Sequence, residues 1–468
     1  MWAVRKAGGK RVILTITISC VLLLIVNMML SWRVAPQRHT LHPHVLSVKI
    51  GGHNSVKLLQ GHSDNSSSGR NQEGDSTNAA TPASAKVTKV TIFTTFSKWM
   101  PECVAIIDGN VEALTEFQRH KKRKDRHLDL KDLFNNSIIH SSKCNQHVSK
   151  VNHQKSLPTE TDFPLAYSIV VHHKAVQLEA LLRSIYSPQN IYCIHVDKKA
   201  KQFFKDAVKS IIRCYNNVFI SSKSEHIVYA TYSRLQADIN CLTDLMASKV
   251  QWKYAINLSG QDFPLRTNYE IVLYLKSLNG SNDIPGVLPN SQNLINRFKY
   301  KHKVVEQDGQ SKVLHGNETK PPPPNNVTIY FGTAFFFASR AFVKFILTDS
   351  FSKKLLNWFE DTYSPDENYW ITLNSLPGVP GGRTRASWAS AVRWIGWQHL
   401  QGQGPPCQGK YVRTICVQSL EDLPWVVKQG SLFVNKLDIE FDPYAVRCLG
   451  QWLYSRKMNL AKKNLTKL

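Results

Sequence analysis

Few residues of this chain have types and spacing that suit chemistry. Ser364-Pro365-Asp366-Glu367 sets two acids directly behind a proline. By spacing alone it is a capping box, with Ser364 as helix N-cap, Pro365 at the first helical position and Glu367 three residues past the cap. Read as chemistry, Glu367 is a carboxylate at a helix N-terminus, where an anion is favoured and where a general base could take the proton of an attacking hydroxyl. Asp197 ends the run Tyr192-Cys193-Ile194-His195-Val196, and an acid just past a parallel strand commonly meets a ribose. Lys198 and Lys199 follow it, so the second carboxylate of an Asp-x-Asp metal site is missing. His172 and His173 close another strand-like run, where histidine is as often a hydrogen-bonded framework residue as a ligand. No Cys-x-x-Cys pair occurs among the nine cysteines, so zinc has no ligand pair at its usual spacing.

The elements that must position these residues alternate. Ala166 to Val171, Ile191 to Val196, Val218 to Ile220 and Tyr254 to Leu258 read as strands. Between them lie amphipathic helices over Leu178 to Tyr186, Phe203 to Ile212 and Tyr229 to Met246. Such alternation predicts parallel βαβ units in a doubly wound α/β sheet, with ligands at the carboxyl ends of the strands. His172, His173 and Asp197 then share one crevice. Beyond a proline loop at Pro321 to Pro324, Tyr330 to Ala338 reads as a strand pair around Gly332, and Phe342 to Phe359 as a broken helix.

Ahead of this domain, Arg5, Lys6, Lys10 and Arg11 precede an uncharged run from Val12 to Leu30. At about 1.5 Å per residue the run is roughly 28 Å long, close to the hydrocarbon thickness of a bilayer. No small-residue cleavage site follows, so it reads as an uncleaved signal anchor. The basic residues before it outweigh Arg33 and Arg38 after it, which leaves the N-terminus cytosolic. The expected order is a cytosolic tail (1–11), a transmembrane anchor (12–30), a flexible stem (31–102) rich in Ser, Asn, Gly and Thr, and a lumenal domain (103–468). Eight cysteines beyond the anchor suit four disulfides in an oxidising lumen, in pairings that spacing does not select. Sequons at Asn65, Asn135, Asn257, Asn279, Asn317, Asn326 and Asn464 suit the same compartment, although Asn257 falls inside an apolar strand-like run. A formal net charge of +25 would suggest nucleic acid in a cytosolic protein. Lumenal topology excludes that partner and leaves a basic surface suited to anionic donors or glycans.

The segments AYSIVVHHK (166–174), YCIHVD (192–197), SRLQADINC (233–241), WKYAINLSGQDFPL (252–265), DTYSPDE (361–367) and VRTIC (412–416) occur in that order. Together they resemble the core 2 and I-branching β-1,6-N-acetylglucosaminyltransferases, glycosyltransferase family 14, over about Cys103 to Cys448. The resemblance implies a GT-A type fold, a Rossmann-like mixed sheet flanked by helices. It also implies UDP-N-acetylglucosamine as donor, inversion at the anomeric carbon, no cofactor and no divalent metal. A single-pass type II protein of the Golgi membrane acting on a glycoprotein or glycan acceptor is expected, with oligomeric state open.

Carried over by position, the resemblance makes Glu367 the catalytic base. Arg413 and Lys436 take the place of a metal at the leaving UDP. Val170, Val171, His172, Asp197, Lys198, Lys199 and Tyr229 become contacts of the nucleoside and sugar. Alternation of Tyr411, Arg413 and Ile415 between Cys407 and Cys416 fits a short disulfide-closed hairpin with one face at the site. The implied disulfides are Cys103–Cys448, Cys144–Cys214, Cys193–Cys241 and Cys407–Cys416. The chain departs from the family pattern in the loop Ser281 to Tyr300, which lacks the family's acid and basic cluster for the acceptor. Asp283 and Arg297 are the replacements it offers, with Trp397 and His399 later in the chain. Weak use of the core 1 disaccharide is therefore expected. The readings that compete are a glycan-binding protein that kept the fold but lost efficient transfer, and a xylosyltransferase-like enzyme.

Overall fold

The structure, a computed structural model, describes residues 102–124, 156–400 and 404–465. They belong to the compact unit Lys86–Leu468. The expected cytosolic tail, the membrane anchor, the stem up to residue 101, Cys144, Asn65 and Asn135 lie outside the described residues. Among the described residues, no helix is long and apolar enough to cross a membrane.

Helices α1 (Cys103–Asp108) and α2 (Val111–Lys124) precede a run of alternating elements. These are β1 (Leu165–Val171), α3 (Ala175–Ile185), β2 (Ile191–Val196), α4 (Gln202–Ile212), β3 (Val218–Ile220), α5 (Tyr232–Ala247) and β4 (Tyr254–Ser259). Every residue of β1 and β2 is buried, as continuous apolar runs must be when helices cover both faces of a parallel sheet. After β5 (Asp262–Pro264) and α6 (Asn268–Ser277) come β6 (Gly286–Val287), α7 (Gln292–Lys299), β7 (Tyr300–Gln307) and β8 (Gln310–Thr319). The chain continues through β9 (Phe331–Gly332), β10 (Phe337–Ser339), α8 (Arg340–Thr348), α9 (Ser350–Trp358) and α10 (Tyr369–Asn374). It finishes with β11 (Trp394–Ile395), β12 (Lys410–Val412), β13 (Ile415–Val417), β14 (Phe433–Asn435) and α11 (Pro443–Leu465).

The main sheet has the order β10-β4-β1-β2-β3, with β1 to β4 parallel and β10 antiparallel at one edge. It is a mixed sheet with an α layer on each face. One core lies between the sheet and α3, α4 and α6; the other lies between the sheet and α5, α8, α9 and α10. A smaller sheet, β11-β14-β5, packs with α1, α2 and α11 in a third core. Disulfides brace these elements, two of them across long stretches of sequence. Cys103–Cys448 ties α1 to α11, Cys193–Cys241 ties β2 to α5, and Cys407–Cys416 closes the β12–β13 hairpin. Cys214 is also disulfide-bonded.

Two local expectations are corrected. Phe331–Gly332 and Phe337–Ser339 do not pair with each other, because Gly332 lies opposite Gly286 and Phe337 opposite Ile256. The Gly286–Gly332 approach is close enough that a Cβ at Gly332 would sit 2.2 Å from the Pro285 carbonyl oxygen. The capping box does not form. Ser364 is left-handed at φ 48°, caps nothing, and gives its N–H to the Ala230 carbonyl at 2.8 Å, so the donor that Glu367 would have capped is already satisfied. Glu367 instead ends a single 3₁₀ turn, Pro365–Glu367, which frees its carboxylate to point elsewhere.

Candidate active site

Glu367 is the centre from which the site is built. Its backbone is fixed by its own N–H on the Ser364 carbonyl at 3.0 Å and, just upstream, by Tyr363 N–H on the Arg297 carbonyl at 3.0 Å. The carboxylate accepts from the Arg297 guanidinium, and the two side chains remain 30% and 27% exposed. Arg297 sits in α7 with its guanidinium 5.4 Å from the ring centroids of both Phe331 and Tyr363. Burial first, and then the neighbouring Asp366, push the Glu367 carboxyl up to about 7, against the opposing pull of Arg297. A carboxyl poised there is half ionised near neutrality, as a general base requires. Beneath it, burial also raises Asp366, which faces Arg234. Arg234 is in turn paired with the fully buried Asp238 at 2.7 Å.

Tyr229 feels the charge of this carboxylate and carries Arg413 on its ring. The Arg413 guanidinium carbon is 4.2 Å from the Tyr229 ring centroid. The hydroxyl of Tyr229 is raised by burial, then by Tyr363, with further effects of Arg413, Glu367 and Arg297. The hairpin expected between Cys407 and Cys416 is present, with Lys410 opposite Val417 and Val412 opposite Ile415. Arg413 is not on a strand face, however. With Thr414 it makes the two-residue turn, at φ 51° and 64°. A two-residue turn of type I′, one of the two that match the strand twist, needs both central residues left-handed, a conformation costly for side chains other than glycine.

Lys436, next after β14, has its ammonium lowered by burial and then by the nearby positive charge of Arg413. The acid it also feels, Asp262, is 3.3 Å from Arg393 and accepts from Asn435 at 2.9 Å. The two cations thus lie close enough to repel each other, with Lys436 partly buried and Arg413 exposed.

The strand-end residues form the adjoining wall. His172 and His173 stack with ring centroids 4.0 Å apart. Burial lowers His172, modulated by Asp197, Lys199, Lys174 and Arg413, and burial together with His172 pushes His173 down to about 4. Both rings are therefore neutral near pH 7 and leave positive charge to Arg413, Lys436 and the lysines. Asp197 is buried, and its carboxylate accepts from the N–H groups of Lys199 at 3.0 Å and Ile227 at 3.4 Å. Lys199 reaches the Ile227 carbonyl, while Lys198 is exposed beside it. Val170 and Val171 are buried, and their carbonyls accept from Gly260 and Asp197.

The acceptor candidates separate. Arg297 reaches the centre. Trp397 and His399 lie against the hairpin, through the Trp397–Ile415 bridge and Gln398 N–H on the Thr414 carbonyl at 2.8 Å. Asp283 is corrected: it is 3% exposed, and its carboxylate accepts from the Tyr274 hydroxyl at 2.6 Å and the Ala391 N–H at 3.3 Å. A buried carboxylate held in this way is part of the framework. Cys407, Cys416 and Asp422 come close enough to suggest a metal, yet the two sulfurs are bonded to each other and Asp422 accepts from Gln408 and Ser419.

Sequence reasoning missed Tyr363 and Phe331 beside the Arg297–Glu367 pair, and Trp388, which lies against Phe331 outside the base's own contacts. Tyr363 lies four residues ahead of Glu367 in a segment already singled out. Trp388, alone in a stretch of Gly, Arg and Ser, carried a signal in being a large apolar residue with no periodic partner.

The Core-2/I-branching enzyme profile matches residues 165–427. The chain is similar to the N-acetyllactosaminide beta-1,6-N-acetylglucosaminyl-transferase of Mus musculus, 46% identical over 69% of this chain and 82% of that protein. It is similar also to the beta-1,3-galactosyl-O-glycosyl-glycoprotein beta-1,6-N-acetylglucosaminyltransferase 4 of Mus musculus, 41% identical over 71% of this chain and 75% of that protein. Among solved structures, mouse xyloside xylosyltransferase 1 aligns at 9% identity over 58% of this chain and 96% of that one, with a TM-score of 0.28.

Proposed function

This chain belongs to the Core-2/I-branching enzyme family, and we propose that it transfers N-acetylglucosamine from UDP-N-acetylglucosamine, in β-1,6 linkage and with inversion, to a glycan. The observation that carries this reading is the Glu367 carboxyl, pushed up to about 7 and paired with Arg297, with the cationic pair Arg413 and Lys436 alongside. The names of the relatives support the transferred group and the linkage. The mixed sheet with parallel β1 to β4 suits a GT-A arrangement, in which a nucleotide sugar lies at the strand ends near Asp197 and His172.

In the proposed reaction the acceptor hydroxyl oxygen bonds to the anomeric carbon as that carbon's bond to the phosphate oxygen breaks. The hydroxyl proton passes to Glu367. The electron pair of the broken bond leaves with UDP, and Arg413 and Lys436 offset the charge that develops there. Fixed cations suit this task because they need no reorganisation as the charge appears. No divalent metal is needed in this scheme. We also propose a lumenal domain held in the Golgi membrane by the anchor at 12–30, which suits the four expected disulfides.

The test is incubation of the purified domain with UDP-N-acetylglucosamine and a panel of core 1 and N-acetyllactosamine acceptors, with linkage analysis of the product by NMR. A β-1,6 product formed in EDTA is expected, with core 1 the weaker acceptor. No transfer to any acceptor, or transfer that needs added manganese, would overturn the respective part of the reading.

A further inference from the structure

Trp388 is 48% exposed, and its indole meets the Phe331 ring edge-on at 6.0 Å and 71°. Phe331 is the ring on which the guanidinium of Arg297 lies, and Arg297 donates to Glu367. A line of contacts therefore runs from the carboxylate through Arg297 and Phe331 to a large indole open to solvent. Tyr229, which feels the same carboxylate, carries Arg413 on its ring, and Arg413 acts in turn on Lys436.

The loop that carries Trp388 is pinned. The Ser387 carbonyl accepts from Gly286 at 2.9 Å, Ala391 N–H donates to the buried Asp283, and the Ala391 carbonyl accepts from Leu432 at 2.8 Å. The framework on both sides fixes the indole where it is, half exposed and against Phe331, so its open face is available to a ligand that reaches past Arg297. The apolar face of a pyranose, with its C–H groups, suits such a ring, and a rigid aromatic side chain loses little entropy on contact.

We propose that Trp388 is a stacking platform for a sugar of the acceptor chain beyond the one that is attacked, and so a determinant of acceptor length. This rests on the transferase reading above. Two contact steps separate the indole from the guanidinium at the base, the reach of a later sugar in an extended acceptor.

The experiment compares the disaccharide N-acetyllactosamine with a linear tetrasaccharide of two such units, on wild type, Trp388→Ala and Trp388→Phe. Trp388→Ala is expected to raise KM for the tetrasaccharide about tenfold and leave KM for the disaccharide and the affinity for UDP unchanged. Trp388→Phe should restore most of the loss, which a merely structural role would not predict. An unchanged tetrasaccharide KM, or an equal loss on both acceptors, overturns the platform. Where no variant turns over either acceptor, the transferase reading has failed, and saturation-transfer NMR of the tetrasaccharide with UDP present decides the platform alone. Binding lost in Trp388→Ala supports it, and binding retained overturns it.

Discussion

The guanidinium of Arg297 donates to the carboxylate of Glu367 from a helix 70 residues upstream, while lying between the rings of Phe331 and Tyr363. One side chain thus couples the base to both aromatic neighbours and holds it in a single orientation.

Glu367→Gln tests the base directly. Glutamine keeps the shape and a hydrogen-bond acceptor for Arg297 but cannot take the acceptor's proton. Transfer is expected to fall by about two to four orders of magnitude, with UDP affinity unchanged. Melting temperature should stay close to wild type, because relief of the burial that raises Glu367 offsets the lost pairing. Single-turnover assays and UDP calorimetry read these two effects separately.

The pH profile follows from the same group. The base works only when ionised, so kcat/KM should fall tenfold per pH unit well below an inflection near 7 and level off above it. Arg297 lowers the Glu367 pKa, so Arg297→Met should move that inflection upward, whatever it does to the plateau. Stability has the opposite sign. A folded-state pKa above the ordinary value of 4.5 means that the folded protein binds the proton more tightly, so Glu367's contribution declines as pH rises from about 4.5 through 7. Denaturation across that range should show a shallower slope in Glu367→Gln than in wild type.

Arg413→Ala removes one of the two cations proposed to face the leaving UDP. A loss of about two orders of magnitude in turnover is expected, the usual cost of one electrostatic stabiliser of a transition state. Lys436, relieved of Arg413's repulsion, should titrate at higher pH. Activity restored to this variant by manganese would show that a metal can take the same place, whereas wild type should ignore both EDTA and manganese.

What the sequence discloses depends on whether a residue's partner is local. Strands β1 to β4 are legible because strands buried on both faces read as unbroken apolar runs, and the helices between them keep their amphipathic period. The β7–β8 hairpin carried a signal, Asp308-Gly309 at φ 54° and 68°, but its strands are mostly exposed and polar, so no alternation announced them. Strands β5, β11 and β14 run for two or three residues and leave no period at all. The capping box fails because the Ser364 N–H is taken by Ala230, a residue 134 positions earlier (364 − 230), and local spacing holds no trace of that. Asp283 looked like an acceptor ligand because it was the acid its loop offered in place of the family's, yet Tyr274 and Ala391 hold it inside. The order of the segments around Glu367 and Arg413 carried the family, while the Arg297–Glu367 pair is a tertiary contact.

The turn at Arg413 and Thr414 separates strain from function. Both residues are left-handed, at φ 51° and 64°, and Thr414 is β-branched, the poorest kind of residue for that region. Relieving one left-handed side chain is worth about 1–2 kcal/mol, and the extra unfolded-state entropy of glycine takes back about 0.5–1. Thr414→Gly should therefore stabilise the domain by roughly 0.5–1 kcal/mol, read from the denaturant midpoint at constant slope. Turnover should stay within a few-fold of wild type, since the disulfide and the Gln398 N–H on the Thr414 carbonyl still hold the hairpin. Arg413→Asn should fit the turn as well as Thr414→Gly does, because asparagine tolerates left-handed backbone, but it removes the cation. It should match wild type or better in stability and lose about as much turnover as Arg413→Ala. If Arg413→Asn kept its activity, the hairpin would be a structural turn only, and the charge at the leaving group would have to come from Lys436 alone.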